Sequence, residues 1–148
     1  MLALFRYASH LLAPLTANCS DFREHWQSAA DVPGSVAGRW EGEWISLASG
    51  HRGPLKCIID VTSEDRWHGR FRAGYARVLR ACYATDFHVA RLASDRWTFS
   101  GRSDLGALAG GQYEYSGEAS PDALMCRYKS THDHGEFRLS RTVRREGP

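Results

Sequence analysis

No C-x-x-C pair occurs among the four cysteines, Cys19, Cys57, Cys82 and Cys126, so neither a zinc knuckle nor a thioredoxin-like motif is indicated. Four buried free thiols are the expectation. No run is apolar for long enough to span a bilayer as a helix. An excess of either charge is missing too: 19 Lys and Arg stand against 17 Asp and Glu, a net of +2. That balance argues against a dedicated nucleic-acid binder, and the neighbouring Arg70, Arg72, Arg77 and Arg80 read as a solvated strand face. The opening stretch has the length of an export signal, but Arg6 and His10 interrupt its apolar run and Asn18 stands before Cys19 where a lipoprotein signal wants a small residue. The expected location is the cytoplasm.

What is present is a single domain's length of chain, 148 residues with 43% hydrophobic and 24% charged. Residues 1–36 form an N-terminal segment in which Asp21 caps a short helix, with Glu24 three positions on and Phe22 and Trp26 on one side, before D-V-P-G ends it. Residues 37–143 form the main domain, with 144–148 as a tail. Beyond Gly38 the hydrophobic period changes to two. Trp40, Gly42 and Trp44 alternate with charged residues, then Leu55, Cys57, Ile59 and Val61, and six further runs follow as far as Phe137, Leu139 and Arg141. Turn-rich stretches such as A-S-G-H-R-G, S-E-D-R and T-H-D-H-G separate them, leaving no room for crossover helices. Only Ala76 to Val78, between the third and fourth runs, lacks a strong turn signal. Eight short strands joined by hairpins predict an all-β fold, an eight-stranded antiparallel up-and-down β-barrel that buries its edges by closing on itself; a β-sandwich is the alternative.

Gly38-Arg39-Trp40 opens the first strand and Arg141 sits on the inward parity of the last, so in a closed meander the guanidinium can lie across the indole. In this the chain resembles the lipocalins and the wider calycin superfamily, which carry a G-x-W after a short helical segment and a basic residue near the barrel's end. The resemblance implies a barrel from about Gly38 to Thr142 closed by Gly38, Trp40 and Arg141. The T-D-Y loop and the long helix after the barrel, both found in secreted lipocalins, are missing. The chain is also similar to short bacterial proteins that share G-x-W-x-G-x-W, G-H-x-G, D-L-G-x-L-A-G-G-x-Y-x-Y and D-H-G-x-F, a likeness that carries no activity with it.

With the apolar parity inward, Trp44, Phe71, Tyr83, Tyr115 and Tyr128 line a shared lumen, each on a different strand. Their rings either fill the core or surround one small apolar or aromatic ligand, oriented by phenol hydroxyls. His68 and His88 share parity with Arg70 and Asp86 and face outward, which leaves haem without an axial ligand. Alternate hairpins lie at one end, so His51, Asp104, His132, Asp133 and His134 gather at one mouth. These residue types suit zinc or proton transfer, yet Asp and Gly are equally hairpin-turn chemistry. A hydrogen-bonded loop network is expected there, with no metal, no cofactor and no catalytic set. The leading function is binding of a small apolar or aromatic molecule in the lumen. The alternatives are a metal-dependent or acid-base enzyme at the mouth, and a solid barrel serving protein interaction.

Overall fold

The structure, a computed structural model, describes residues 19–106 and 111–142. Arg6 and His10 in the stretch read for an export signal, most of the A-G-G run in the fifth hairpin, and the tail 144–148 lie outside the described residues. A helix, α1, runs through residues 19–28, and eight strands follow. They are β1 (Gly38–Ser46), β2 (Arg52–Ser63), β3 (Arg66–Tyr75), β4 (Leu79–Ala93), β5 (Arg96–Asp104), β6 (Gln112–Ala119), β7 (Ala123–Lys129) and β8 (His134–Arg141). Each strand pairs antiparallel with the next, and β1 pairs with β8, so the sheet is a closed barrel with no free edge.

The alternation of residue types decides the two faces. On β4, Ala81, Tyr83, Thr85, Phe87 and Val89 are buried while Ala84, Asp86 and His88 are exposed. His68 and Asp86 meet on the outer wall, with Nδ1 2.6 Å from a carboxylate oxygen, as outward parity requires. Val61 departs from the inward run of β2. It falls where the β2–β3 register shifts and is 45% exposed.

The end of the barrel where β1 begins is shut by side chains. Trp40 pairs with Arg141 in the β1–β8 register, and the guanidinium lies 4.9 Å from the indole centroid. Arg141 also donates to the carbonyls of Val36 (2.9 Å) and Ala37 (2.7 Å), while Trp40 Nε1 donates to Val36 O at 3.0 Å. Gly38 has φ +127°, and a Cβ there would come within 2.5 Å of Asp31 Oδ1 and 2.8 Å of Asp31 Cα. The glycine of G-x-W is therefore needed for the chain to pass Asp31, whose carboxylate also holds Arg39 by an ion pair of 2.5 Å.

Two expectations need correction. Asp21 does not begin the helix, because residues 19 and 20 are already helical; its carbonyl instead accepts a hydrogen bond from His25 Nδ1 at 2.7 Å. The helix lies on the outer wall, where Phe22 packs on Ile58 and Cys82 and is joined by Trp26 and Ala29. Ile58 and Cys82 have outward parity, and it is α1 that buries them. Finally, two of the four cysteines are not free: Cys19 and Cys82 form a disulfide across a sequence separation of 63, with Cα atoms 5.3 Å apart. Cys57 and Cys126 remain buried thiols inside the barrel.

The third hairpin, which lacked a turn signal, turns without glycine. Ala76 (φ 46°) and Arg77 (φ 67°) both take left-handed backbone conformations.

Candidate functional site

The interior is built of rings in contact. Phe71 stacks on Tyr83 at 5.0 Å, Phe87 meets Phe99 at 5.1 Å, and Tyr128 meets Phe137 at 5.1 Å. Glycine makes room for them. A Cβ on Gly69 would lie 2.8 Å from the Phe87 ring and 2.9 Å from that of Phe71. Phe71 of β3 also reaches Phe137 of β8 at 5.8 Å, so ring contacts cross the barrel at mid-height. The residues singled out for the lumen, Trp44, Phe71, Tyr83, Tyr115 and Tyr128, are all buried on the inward face.

Polar groups increase from mid-height towards the end where the first, third, fifth and seventh hairpins lie. Trp44 Nε1 donates to Gly74 O at 2.9 Å, beneath the third hairpin. Tyr115 and Ser103 share a hydrogen bond of 2.9 Å across β5 and β6. The Tyr83 hydroxyl is fully buried and has no hydrogen-bond partner at bonding distance. Its polar neighbour is the Tyr115 hydroxyl, which is hydrogen-bonded to Ser103 and also interacts with Tyr83. Burial pushes the Tyr83 phenol well above its ordinary range, so it stays protonated and remains a donor.

Asp133 is the buried carboxylate of this end, 2% exposed. Its Oδ1 accepts from Ser46 Oγ at 2.6 Å and its Oδ2 from the Tyr128 hydroxyl at 3.1 Å. Burial first, and then the neighbouring Asp133 charge, push the Tyr128 phenol up. The Asp133 carboxylate does not bond amides of its own turn. Ser130 does that work: its Oγ accepts from Asp133 N at 3.1 Å, and Ser130 N donates to Asp133 O at 2.7 Å. The carboxylate is thereby turned inward, and it ties the seventh hairpin to the end of β1.

The other mouth residues behave differently. His51, Asp104, His132 and His134 are exposed. Asp104 closes its own turn by accepting from Gly106 N at 2.8 Å. Among the described residues no group of three or more His, Cys, Asp or Glu is placed to hold a metal ion. The first and seventh hairpins do meet, but through Ser46 and Asp133, not through His51. Ser46 was missed because a small hydroxyl at a strand's end carries no pattern of its own.

No family model matches the chain, and no curated protein matches it. Solved structures similar in shape include two barrels. One is a de novo designed fluorescence-activating β-barrel, 18% identical, matching 78% of this chain and 97% of that one with a TM-score of 0.51. The other is a point mutant of the fluorescent protein UnaG, 10% identical, matching 72% of this chain and 96% of that one with a TM-score of 0.43. No helix among the described residues is long and apolar enough to cross a membrane. What the chain shares with the designed barrel is its fold, a closed antiparallel β-barrel.

Proposed function

We propose that the protein binds a small apolar or aromatic molecule inside the barrel, between the Phe71–Phe137 contact and the mouth bounded by Trp44, Asp133 and Tyr128. The observation that carries this reading is the Tyr83 hydroxyl, a buried donor without a hydrogen bond of ordinary length, whose one polar neighbour in a wall of rings is the Tyr115 hydroxyl. Leaving such a group unsatisfied costs about 1 to 3 kcal/mol, which a ligand carbonyl or ether oxygen recovers on binding. Trp44, Phe71, Tyr115 and Tyr128 supply the flat apolar contacts, and the Trp40–Arg141 closure makes the site a cup with one entrance. No catalytic step is part of this reading.

Titration with an environment-sensitive naphthalene dye tests it. The dye should quench tryptophan emission in the native protein, and Tyr83→Phe should weaken binding about tenfold, the equivalent of one hydrogen bond. The substitution should cost the ligand-free barrel less than about 1 kcal/mol, because the removed hydroxyl meets the Tyr115 hydroxyl only beyond ordinary bonding distance. Absence of quenching would favour the second reading, a solid barrel that meets a protein partner on its surface, which the ring contact across the middle supports. The Cys19–Cys82 disulfide supports an oxidising compartment over the cytoplasm that the N-terminal residues suggest.

A further inference from the structure

Cys82 stands on the outward face of β4, opposite Arg72 of β3 in the register, with Arg80 two positions before it on the same face. Cys19 meets it from α1, and Arg23 follows one helical turn later. The Arg72 guanidinium lies 5.3 Å over the ring of Phe22, which itself packs on Cys82. The three arginines act on each other. Burial first, then Arg80 and Arg23, lower the pKa of Arg72. The disulfide thus lies beside Arg72, Arg80 and Arg23, with Glu41 and Asp21 as the nearby acidic groups, and its two cysteines differ in exposure: Cys82 is 2% exposed, whereas Cys19 is half-buried.

We propose that Cys19–Cys82 is a site of reversible exchange with a small thiol, in which the arginine patch holds the departing Cys82 sulfur as a thiolate. The incoming thiolate attacks Cys19 Sγ, on the less buried of the two cysteines, along the S–S axis. A new S–S bond forms between the small thiol and Cys19, the Cys19–Cys82 bond breaks, and its electron pair leaves on Cys82. A second thiolate attacking the mixed disulfide gives the small-molecule disulfide and releases Cys19 as a thiolate; the reverse steps restore the protein's bond. Burial of Cys82 opposes charge on its sulfur, and the guanidinium groups beside it oppose burial. Once the link opens, α1 is held by Phe22, Trp26 and Ala29 over Ile58, so its release bares an apolar stripe on the barrel's outer wall.

Equilibration of the full chain in glutathione redox buffers, followed by acid quench and peptide mass mapping, tests the proposal. The expected intermediate carries glutathione on Cys19 alone, with Cys57 and Cys126 unmodified and the barrel's circular dichroism unchanged. Amide exchange in residues 19–28 should rise as the bond opens. Joint Arg72→Gln and Arg80→Gln substitution should raise the glutathione needed for half-opening about tenfold, the effect of one unit in the leaving thiol's pKa. Arg72→Lys with Arg80→Lys, which keeps the charge, should behave like the parent. Should the glutamine variant not fold, added salt on the parent serves instead, since screening must slow the exchange. The proposal is overturned if the bond stays closed across the thiol range that leaves the barrel intact, if the adduct forms on Cys82, or if neither charge removal nor salt alters the exchange.

Discussion

Asp133 bridges two hairpins through two neutral hydroxyls, so its loss strands both donors in the interior. Asp133→Ala should lower stability by about 2 to 4 kcal/mol in urea unfolding, and Asp133→Asn, which keeps one acceptor, by less. Zinc added to either protein should leave the melting temperature unchanged, because the neighbouring histidines point to solvent. Asp31 acts at the opposite end. Burial works to raise its pKa, but the hydrogen bonds and charge of Arg39 prevail and hold it below the ordinary 3.8. A carboxylate depressed in the folded state stabilises the protein above its unfolded value and ceases to do so as the pH falls through the folded one. Stability should therefore decline as the pH drops below about 4, with Asp31→Asn flattening that limb of the curve. Asp133 as a mouth residue could be read from H-D-H-G, but its true partner could not, since nothing in the spacing of Ser46 distinguishes it from the exposed Ser49.

At the scale of elements, the third hairpin offers the clearest test. Ala76 and Arg77 occupy backbone conformations that side chains disfavour, in a turn where Asn and Gly are at ease. Replacing Ala76-Arg77 by Asn-Gly should stabilise the barrel by about 1 to 2 kcal/mol, read from the shift in urea midpoint at constant slope. The strands were legible because alternation carries the face assignment in each run by itself, as Trp40, Gly42 and Trp44 show in β1. The helix was legible as a helix but not in position. Ile58 and Cys82 look like solvent-facing residues until α1 is laid over them, and Lys56 lies 4.6 Å from the Trp26 ring centroid with no sequence signal to announce it. The disulfide escaped notice for the same reason, since its partners are 63 positions apart and brought together by where the helix lies.

For the molecule as a whole, the interior holds several phenols and two thiols that are buried in their neutral form. Burial raises Cys126 from its ordinary value near 9 to about 12, and burial likewise raises Tyr83, Tyr115 and Tyr128. A raised folded value means stability that is intact below the unfolded value and lost as the pH climbs towards the folded one. The urea midpoint should hold steady to about pH 9 and then fall steeply, earlier than exposed phenols alone would dictate. Barrel closure was legible from Trp40 and Arg141 because a meander of eight strands brings its first and last together. Whether the rings inside would meet was not, because composition gives the number of rings and not the distance across the lumen.

The β1–β8 seam has a consequence in time. Seven of the eight pairings join neighbours in the chain, while the eighth brings together positions such as Glu41 and Ser140, 99 residues apart along the sequence. Hairpins form in microseconds, but the seam must wait for a long loop to close, so it belongs late on the folding path. Weakening it with Arg141→Met, which removes the guanidinium from Trp40 and from the Val36 and Ala37 carbonyls, should accelerate unfolding and leave the refolding rate nearly untouched. In stopped-flow chevrons only the unfolding arm should rise; a matching drop in the refolding arm would mean that the two ends of the sheet find each other first, with the hairpins between them following.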